Sequence, residues 1–157
     1  MEMKQYLIDT FKYNDRANRQ ILQSIEKLPQ KDQAIKFFSH LINSQKKWLA
    51  RIIEYPNNPK MSWWEPAYPL ENLETEWTNS LQSWLRYLEE KKEEDLDQDV
   101  IFIGYDGGKF AARLQDIALQ LNYHNIHHRA QIQSLIREQG LEPEFVDYIG
   151  TVYKKLE

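Results

Sequence analysis

The chain has 157 residues, a length typical of a single domain with its own hydrophobic core. Its 20 Lys and Arg against 24 Asp and Glu give a formal net charge of -4, so the chain lacks the basic balance that binding to a nucleic acid requires. Cysteine is absent, which excludes disulfides, thiolate metal sites and a cysteine nucleophile. We therefore expect one domain over residues 1–157, in which any metal ion is bound by histidine nitrogen or by oxygen.

Nothing in the sequence predicts export or insertion into a membrane. No run of residues approaches the roughly 18 apolar residues of a membrane-spanning helix. The first residues, MEMKQYLIDTFKYNDR, also lack the basic-then-apolar order of a secretory signal. We expect a cytoplasmic protein with no membrane partner and no nucleic-acid partner.

Apolar residues recur at steps of three and four in the first third of the chain, which is the spacing of one helix face. This pattern predicts a first helix over residues 4–28, ended by Pro29, and a second helix over residues 34–53. Residues 54–69 hold four prolines and two asparagines, too many helix and strand breakers for a regular element. A long loop is predicted there.

Two adjacent tryptophans, Trp63 and Trp64, lie in this loop. One interpretation is that they cover a substrate. Aromatic residues in loops more often only pack onto the neighbouring helices, and we favour that second interpretation.

A third helix is predicted over residues 70–94, where apolar residues again follow steps of three and four. Residues 89–99 are dominated by charge, which is typical of a solvated helix end or a loop rather than a binding site. Residues 100–103 predict a short strand or extended arm, and residues 104–108 predict a tight turn.

A fourth helix is predicted over residues 111–139, ended by Gly140, and residues 144–157 predict one last short helix. Four long amphipathic segments with almost no strand signal favour an all-α fold, a four-helix bundle. The loop after the second helix is too long for a tight hairpin, so an antiparallel arrangement with a long crossover fits.

Three of the four histidines, His124, His127 and His128, lie within five residues of the predicted fourth helix. His124 and His128 are one turn apart on its inward side, a spacing at which two imidazoles can bind one metal ion. His127 is rotated from His128 by about 100° and is predicted to point away. A third ligand must come from another helix, and His40 is the remaining histidine. The spacing alone leaves open that these histidines are hydrogen-bonded or exposed without a metal.

These patterns resemble the DinB-like family over nearly the whole chain. The likeness rests on YNDRANRQIL in the first helix, on one histidine in the second helix, within SHLINSQKKWLARI, and on HNIHHRAQIQSLIREQG in the fourth. The closing residues Gly140, Pro143, Asp147 and Tyr148 are also similar to the family's pattern.

The resemblance implies that His40, His124 and His128 bind one divalent ion, with Arg129 and Gln131 completing the motif. This sequence departs from the family's common pattern at three positions near the ligands. The family often has Asn, Gly and a further His where this chain has Tyr123, Ala130 and Gln120.

The resemblance also implies an up-down-down-up bundle, a nickel or zinc ion with open water positions, and a homodimer. It does not define one reaction. Characterised relatives include thiol transferases that use bacillithiol or mycothiol-type cofactors and a thiol-dependent isomerase, and many members are described as hydrolases without a known substrate.

Three functions remain open: transfer of a low-molecular-weight thiol to an electrophilic small molecule, metal-dependent hydrolysis, and non-catalytic, stress-related metal binding. Thiol transfer needs no protein cysteine, whereas hydrolysis is favoured by a general base close to the metal, and the fourth helix has no carboxylate on its histidine face. A structural metal site normally has four protein ligands rather than three. We therefore favour a metal-dependent thiol transferase in which the catalytic group is a metal-bound thiol or water.

Overall fold

Four long helices account for most of the chain in the computed structural model, which describes residues 1–157. The helices are α1 (Met3–Glu26), α2 (Asp32–Ile53), α3 (Leu70–Glu89) and α4 (Leu114–Glu138). Strands β1 (Asp99–Ile103) and β2 (Lys109–Arg113) form an antiparallel hairpin between α3 and α4. The all-α, four-helix prediction is confirmed. None of the helices has both the length and the apolar character that crossing a membrane requires.

Helices α2 and α3 run parallel to each other. Near the start of both helices, the Ser39 hydroxyl accepts a hydrogen bond from the backbone N–H of Tyr68 (2.9 Å). Further along both, the Ser80 hydroxyl donates to the Gln45 side-chain oxygen (2.8 Å). The contacts therefore advance in the same direction along the two helices.

Helices α1 and α4 also run parallel. The Asn14 amide donates to the Asn122 side-chain oxygen (2.8 Å) in the middle of both helices. Just beyond the end of α1, the backbone N–H of Gln30 donates to the side-chain oxygen of Gln139, just beyond the end of α4 (2.9 Å).

The two parallel pairs run in opposite directions. Lys4, at the start of α1, donates to the carbonyl oxygen of Glu89 at the end of α3 (2.7 Å). Arg19, further along α1, forms an ion pair with Glu74 near the start of α3 (3.1 Å). The bundle therefore has the up-down-down-up order that the resemblance implies.

Parallel α2 and α3 require the chain to travel back along α2 before α3 begins. Residues 54–69, which we call the return loop, follow that path. The amide of Asn43 in α2 donates to the carbonyl oxygen of Pro66 in this loop (3.0 Å). The return loop is thus fixed against the same helix that carries His40.

The core lies where the apolar faces of the four helices meet. Trp77 and Trp84 of α3 are its largest fully buried side chains, and Trp84 stacks on Phe11 of α1 with ring centroids 5.9 Å apart. The indole N–H of Trp77 donates to an Asp15 carboxylate oxygen, and that of Trp84 donates to the Gln45 carbonyl oxygen (2.9 and 2.8 Å). Because both buried indole donors are satisfied, the core gains the apolar area of the two tryptophans without leaving either indole N–H unpaired.

Two predicted helix boundaries are wrong. The third helix ends at Glu89 instead of residue 94, since the charged residues beyond it form a short 3-10 turn in which Leu96 is the buried residue. The fourth helix begins at Leu114 instead of residue 111, because residues 109–113 form β2. Lysine, alanine and arginine in this segment have good helix propensity, but pairing with β1 places Phe110 opposite Phe102 and overrides it.

The predicted last helix is reduced to a single 3-10 turn, Tyr148–Thr151. Its apolar side chains Tyr148 and Ile149 are exposed, so no burial of an apolar face supports a longer helix. Val146, just before this turn, is buried and attaches the tail to the bundle.

Candidate metal centre

Three histidines from α2 and α4 meet between these two helices. His40, His124 and His128 each place a ring nitrogen in a group whose members all lie within 4.8 Å of one another. The Nε2 atoms of His40 and His124 are 2.9 Å apart. Two nitrogens bound to one ion at about 2.0–2.1 Å would be about 2.9 Å apart at a right angle and about 3.3 Å apart at the tetrahedral angle. The group therefore fits a divalent ion, and its composition suits metals that imidazole binds well.

The return loop fixes the orientation of His40. The Nδ1–H of His40 donates to the carbonyl oxygen of Trp63 (2.7 Å). Because a carbonyl oxygen can only accept, Nδ1 carries the proton and Nε2 presents its lone pair to the other histidines. A hydrogen bond to the ring nitrogen that does not bind metal is the usual support for a metal-binding histidine.

Gln131 gives His128 the same kind of support. The Nδ1–H of His128 donates a hydrogen bond to the side-chain oxygen of Gln131, 2.5 Å away. Gln131 is three residues further along α4, so the helix itself sets this contact. The Nε2 lone pair of His128 is consequently free for a metal ion.

Burial keeps the three imidazoles neutral. It lowers the pKa of His40 and of His128 below the usual 6.5. Burial, together with repulsion from the neighbouring histidines, lowers the pKa of His124 to about 3. Only a neutral imidazole binds a metal ion, so the centre does not need to lose protons before it binds one near neutral pH.

Both tryptophans of the return loop contact this site. The Trp64 ring stacks on the His40 ring with centroids 3.7 Å apart and planes 6° apart, and Trp64 remains 37% exposed. Trp63, besides accepting the His40 hydrogen bond, lines a pocket beside the centre. The sequence favoured tryptophans that only pack onto the neighbouring helices. In the structure, Trp63 and Trp64 also contact His40, and Trp63 lines the pocket.

The pocket adjoins the histidines and has a volume of about 260 Å³. No aspartate or glutamate lines it. Gln120 is part of its wall. The lining residues are His40, Ser44, Trp48, Trp63, Gln120, Leu121 and His124.

A buried polar network fixes the rotation of α4 against α1. The guanidinium of Arg129, which is 3% exposed, donates to the side-chain oxygens of Asn14 and Asn18 (2.9 Å each). Its other terminal nitrogen donates to the Tyr13 hydroxyl (3.1 Å), which in turn donates to the carbonyl oxygen of Val146 (2.9 Å). Arg129 thereby connects α1, α4 and the tail.

Asparagine pairs extend this network along both helices. The Asn14 amide donates to Asn122 (2.8 Å), and the Asn18 amide donates to Asn125 (2.7 Å). Asn122, Asn125 and Arg129 face α1, while His124 and His128 face α2. The network on one side of α4 therefore determines the direction in which the two histidines point.

The structure brings His40, His124 and His128 together, as the sequence predicts, but His124 lies at the edge of the buried face of α4. His127 is exposed and lies outside the group of three. On α4, Asn125 is fully buried, and His124 sits half-buried at the edge towards α2. Ser44 and Trp48 were not predicted as site residues, although their steps of four and eight residues from His40 place them on the same face of α2.

The fold and the site together define an all-α bundle protein with a three-histidine candidate metal centre between two antiparallel helices. The sequence model of the DinB family matches residues 1–155, and the chain belongs to this family. The resemblance seen in the sequence is thereby confirmed. The comparison with curated proteins gives no match.

Proposed function

We propose that this protein is an enzyme that binds one divalent ion, nickel or zinc, through His40, His124 and His128 and transfers a low-molecular-weight thiol to an electrophilic small molecule. Three protein ligands leave at least one position open for a small molecule. An ion bound there supplies Lewis acidity and lowers the pKa of a thiol or water beside it.

The observation that carries the choice of reaction is the absence of a carboxylate from the pocket wall. Activation of water for hydrolysis is usually assisted by a general base such as Glu. A thiol has an ordinary pKa near 8.5 and loses its proton far more easily than water, so it needs no such base. The chain has no cysteine of its own, so the thiol must come from a small molecule.

The protein side chains around the centre hold and shield the reactants. The hydrogen bonds from His40 to Trp63 and from His128 to Gln131 keep both rings in one orientation. Trp64 covers the face of the His40 ring and excludes water from it. In the transfer, the thiol gives its proton to solvent, its sulfur bonds to the electrophilic carbon, and the leaving group departs with the bonding electron pair.

An assay of metal-loaded protein tests this proposal. Cysteine or glutathione is offered with an activated aryl chloride, and ester and anilide substrates are measured in parallel. We expect thiol conjugation that His124→Ala abolishes and that the matched variant His127→Ala retains. Ester or anilide cleavage without conjugation would instead support hydrolysis, and no turnover by fully metal-loaded protein would support a non-catalytic role.

We also propose that the chain acts as one domain, as a homodimer, in the cytoplasm. Large apolar side chains remain exposed on α4 and on the tail, among them Tyr123, Ile126, Phe145 and Tyr153. Exposed apolar groups of this kind support pairing with a second copy.

A further inference from the structure

Arg51, near the end of α2, is a buried cation without an anion beside it. The residue is only 6% exposed, and none of the ion pairs in the protein involves it. Its Nε–H is fully buried and has no hydrogen-bond acceptor. A buried guanidinium without an acceptor is unfavourable, because the lost hydration is not replaced.

Aromatic rings surround this guanidinium, and two of them belong to residues that line the pocket. Its central carbon lies 4.8 Å from the ring centre of Trp63, 5.0 Å from that of Trp48 and 5.6 Å from that of Phe102. Trp48 and Trp63 line the pocket beside the histidine centre. Ring faces attract the cation but do not accept hydrogen bonds from the N–H groups at its edge, and no group of the protein accepts one from Nε.

Lys47 adds a second positive charge at the same place. Its ammonium lies 4.3 Å from the ring centre of Trp63 and donates to the carbonyl oxygen of Met61 (2.6 Å). Burial and the charge of Arg51 lower the pKa of Lys47. Neither cation is neutralised by a carboxylate, although the chain as a whole is acidic.

The helix places this charge at a distance from the metal centre. Arg51 follows His40 by eleven residues, which corresponds to three turns and about 16 Å along the axis, on the same face of α2. Side chains of a helix lean towards its N-terminus, so the Arg51 side chain points back towards Trp48 and the pocket. The region around the pocket thus has the neutral histidines on one side and, on the other, two cations that form no ion pair, Lys47 and Arg51.

We propose that Arg51, assisted by Lys47, binds the carboxylate or phosphate group of a small molecule whose other end reaches the histidine centre. The planar edge of a guanidinium matches both kinds of anion with paired hydrogen bonds. The volume of about 260 Å³ lies below the roughly 300–1,000 Å³ of pockets for drug-sized ligands. The ligand class is therefore a small anionic metabolite. The reacting end of this ligand depends on the proposed function, but its anionic end does not.

Anion binding to chelator-treated protein tests the proposal without any metal. Inorganic phosphate and succinate are titrated separately at constant ionic strength, set with chloride, and binding is followed by calorimetry and by tryptophan fluorescence. We expect saturable binding of at least one anion, and the tighter one identifies phosphate or carboxylate as the group recognised. Arg51→Gln should weaken binding by about tenfold or more.

Matched variants separate this contact from general charge effects. Arg137→Gln removes an exposed arginine at the end of α4 and should leave the dissociation constant unchanged. Arg51→Lys keeps the charge but loses the planar edge, so it should bind with intermediate affinity. If Arg51→Gln does not fold, Lys47→Gln replaces it and should weaken binding several-fold. Unaltered affinity in the Arg51 and Lys47 variants, or no saturable binding of either anion, would overturn the proposal.

The two proposals fail in different measurements. Anion binding that depends on Arg51, in a protein that transfers no thiol, would refute the proposed reaction and leave the anion site standing. Thiol transfer by a protein that binds neither anion would refute the anion site and leave the proposed reaction standing.

Discussion

Arg129→Met removes the donor that joins α1 to the helix bearing His124 and His128. Methionine keeps most of the length of the aliphatic stem, so the main loss is the three hydrogen bonds of the guanidinium. The buried oxygens of Asn14 and Asn18 each lose a donor, at about 1–3 kcal/mol apiece. Removal of a desolvated cation offsets part of this loss, and burial does lower the pKa of Arg129.

The expected decrease in the free energy of unfolding is therefore about 3 kcal/mol. For a domain of this size, it corresponds to a melting temperature lower by roughly 6–12 °C. Urea unfolding of chelator-treated protein is the suitable assay, because a bound ion would add its own stabilisation.

Two variants complete the Arg129→Met experiment. Arg137→Met changes an exposed arginine of the same helix and should alter stability by less than about 0.5 kcal/mol. Asn18→Ala combined with Arg129→Met should cost less than the sum of the single variants, because the pair shares one hydrogen bond. A loss below about 1 kcal/mol in Arg129→Met, or strict additivity with Asn18→Ala, would show that the network does not hold the helices as described.

Metal analysis of untagged protein should find one divalent ion per chain, and occupancy should fall sharply when His40, His124 or His128 is replaced by alanine but not in His127→Ala; full occupancy in all three ligand variants would contradict the assignment. Gln131→Ala should weaken metal affinity about 10–100-fold by releasing the His128 ring, and competition with a chelator measures this. An ordinary histidine pKa predicts that the protein loses its metal ion below about pH 6. Because burial lowers the pKa of all three histidines, the pH of half-occupancy should lie below that value. Half-occupancy at or above pH 6.5 would refute this reasoning. The metal-free protein should be most stable above pH 6.5 and should lose stability as the pH falls from 6.5 towards 3, because the histidines of the unfolded chain bind protons at a higher pH than His124 does in the folded protein. The free energy of unfolding, measured with urea, should fall by at most about 1.4 kcal/mol per pH unit through His124. Sedimentation at high protein concentration should show a dimer of the 18.9 kDa chain rather than a monomer.

The four helices and the placement of His124 and His128 on one side of α4 could be predicted because both depend on local spacing. The steps of three and four residues define each apolar face whatever the helix packs against. The four-residue step between His124 and His128 places them on one side of α4 in the same way. The family pattern then supplied His40, which no spacing rule could connect across 84 residues.

The remaining features depend on contacts between distant parts of the chain. β2 exists because β1 supplies hydrogen bonds to residues whose own propensity is helical. The stacking of Trp64 on His40 depends on the path of the return loop, which its prolines restrict but do not determine. Arg51 has no acceptor for its Nε–H because no suitable group lies near it in space. The sequence does not show which groups lie near each other in space, so this feature could not be predicted.

The parallel arrangement of α2 and α3 has a consequence for how specificity can change. The chain that returns along α2 passes over the groove between α2 and α4, where Trp63 and Trp64 contact His40, so the return loop covers the candidate metal centre. The three histidines belong to helices whose positions the core dictates, whereas Trp63 and Trp64 belong to a segment that adds little to that core. Substitutions in the return loop can therefore alter the shape and chemistry of the pocket at small cost in stability, and exchanging this loop between relatives should transfer substrate preference while the histidine centre stays intact.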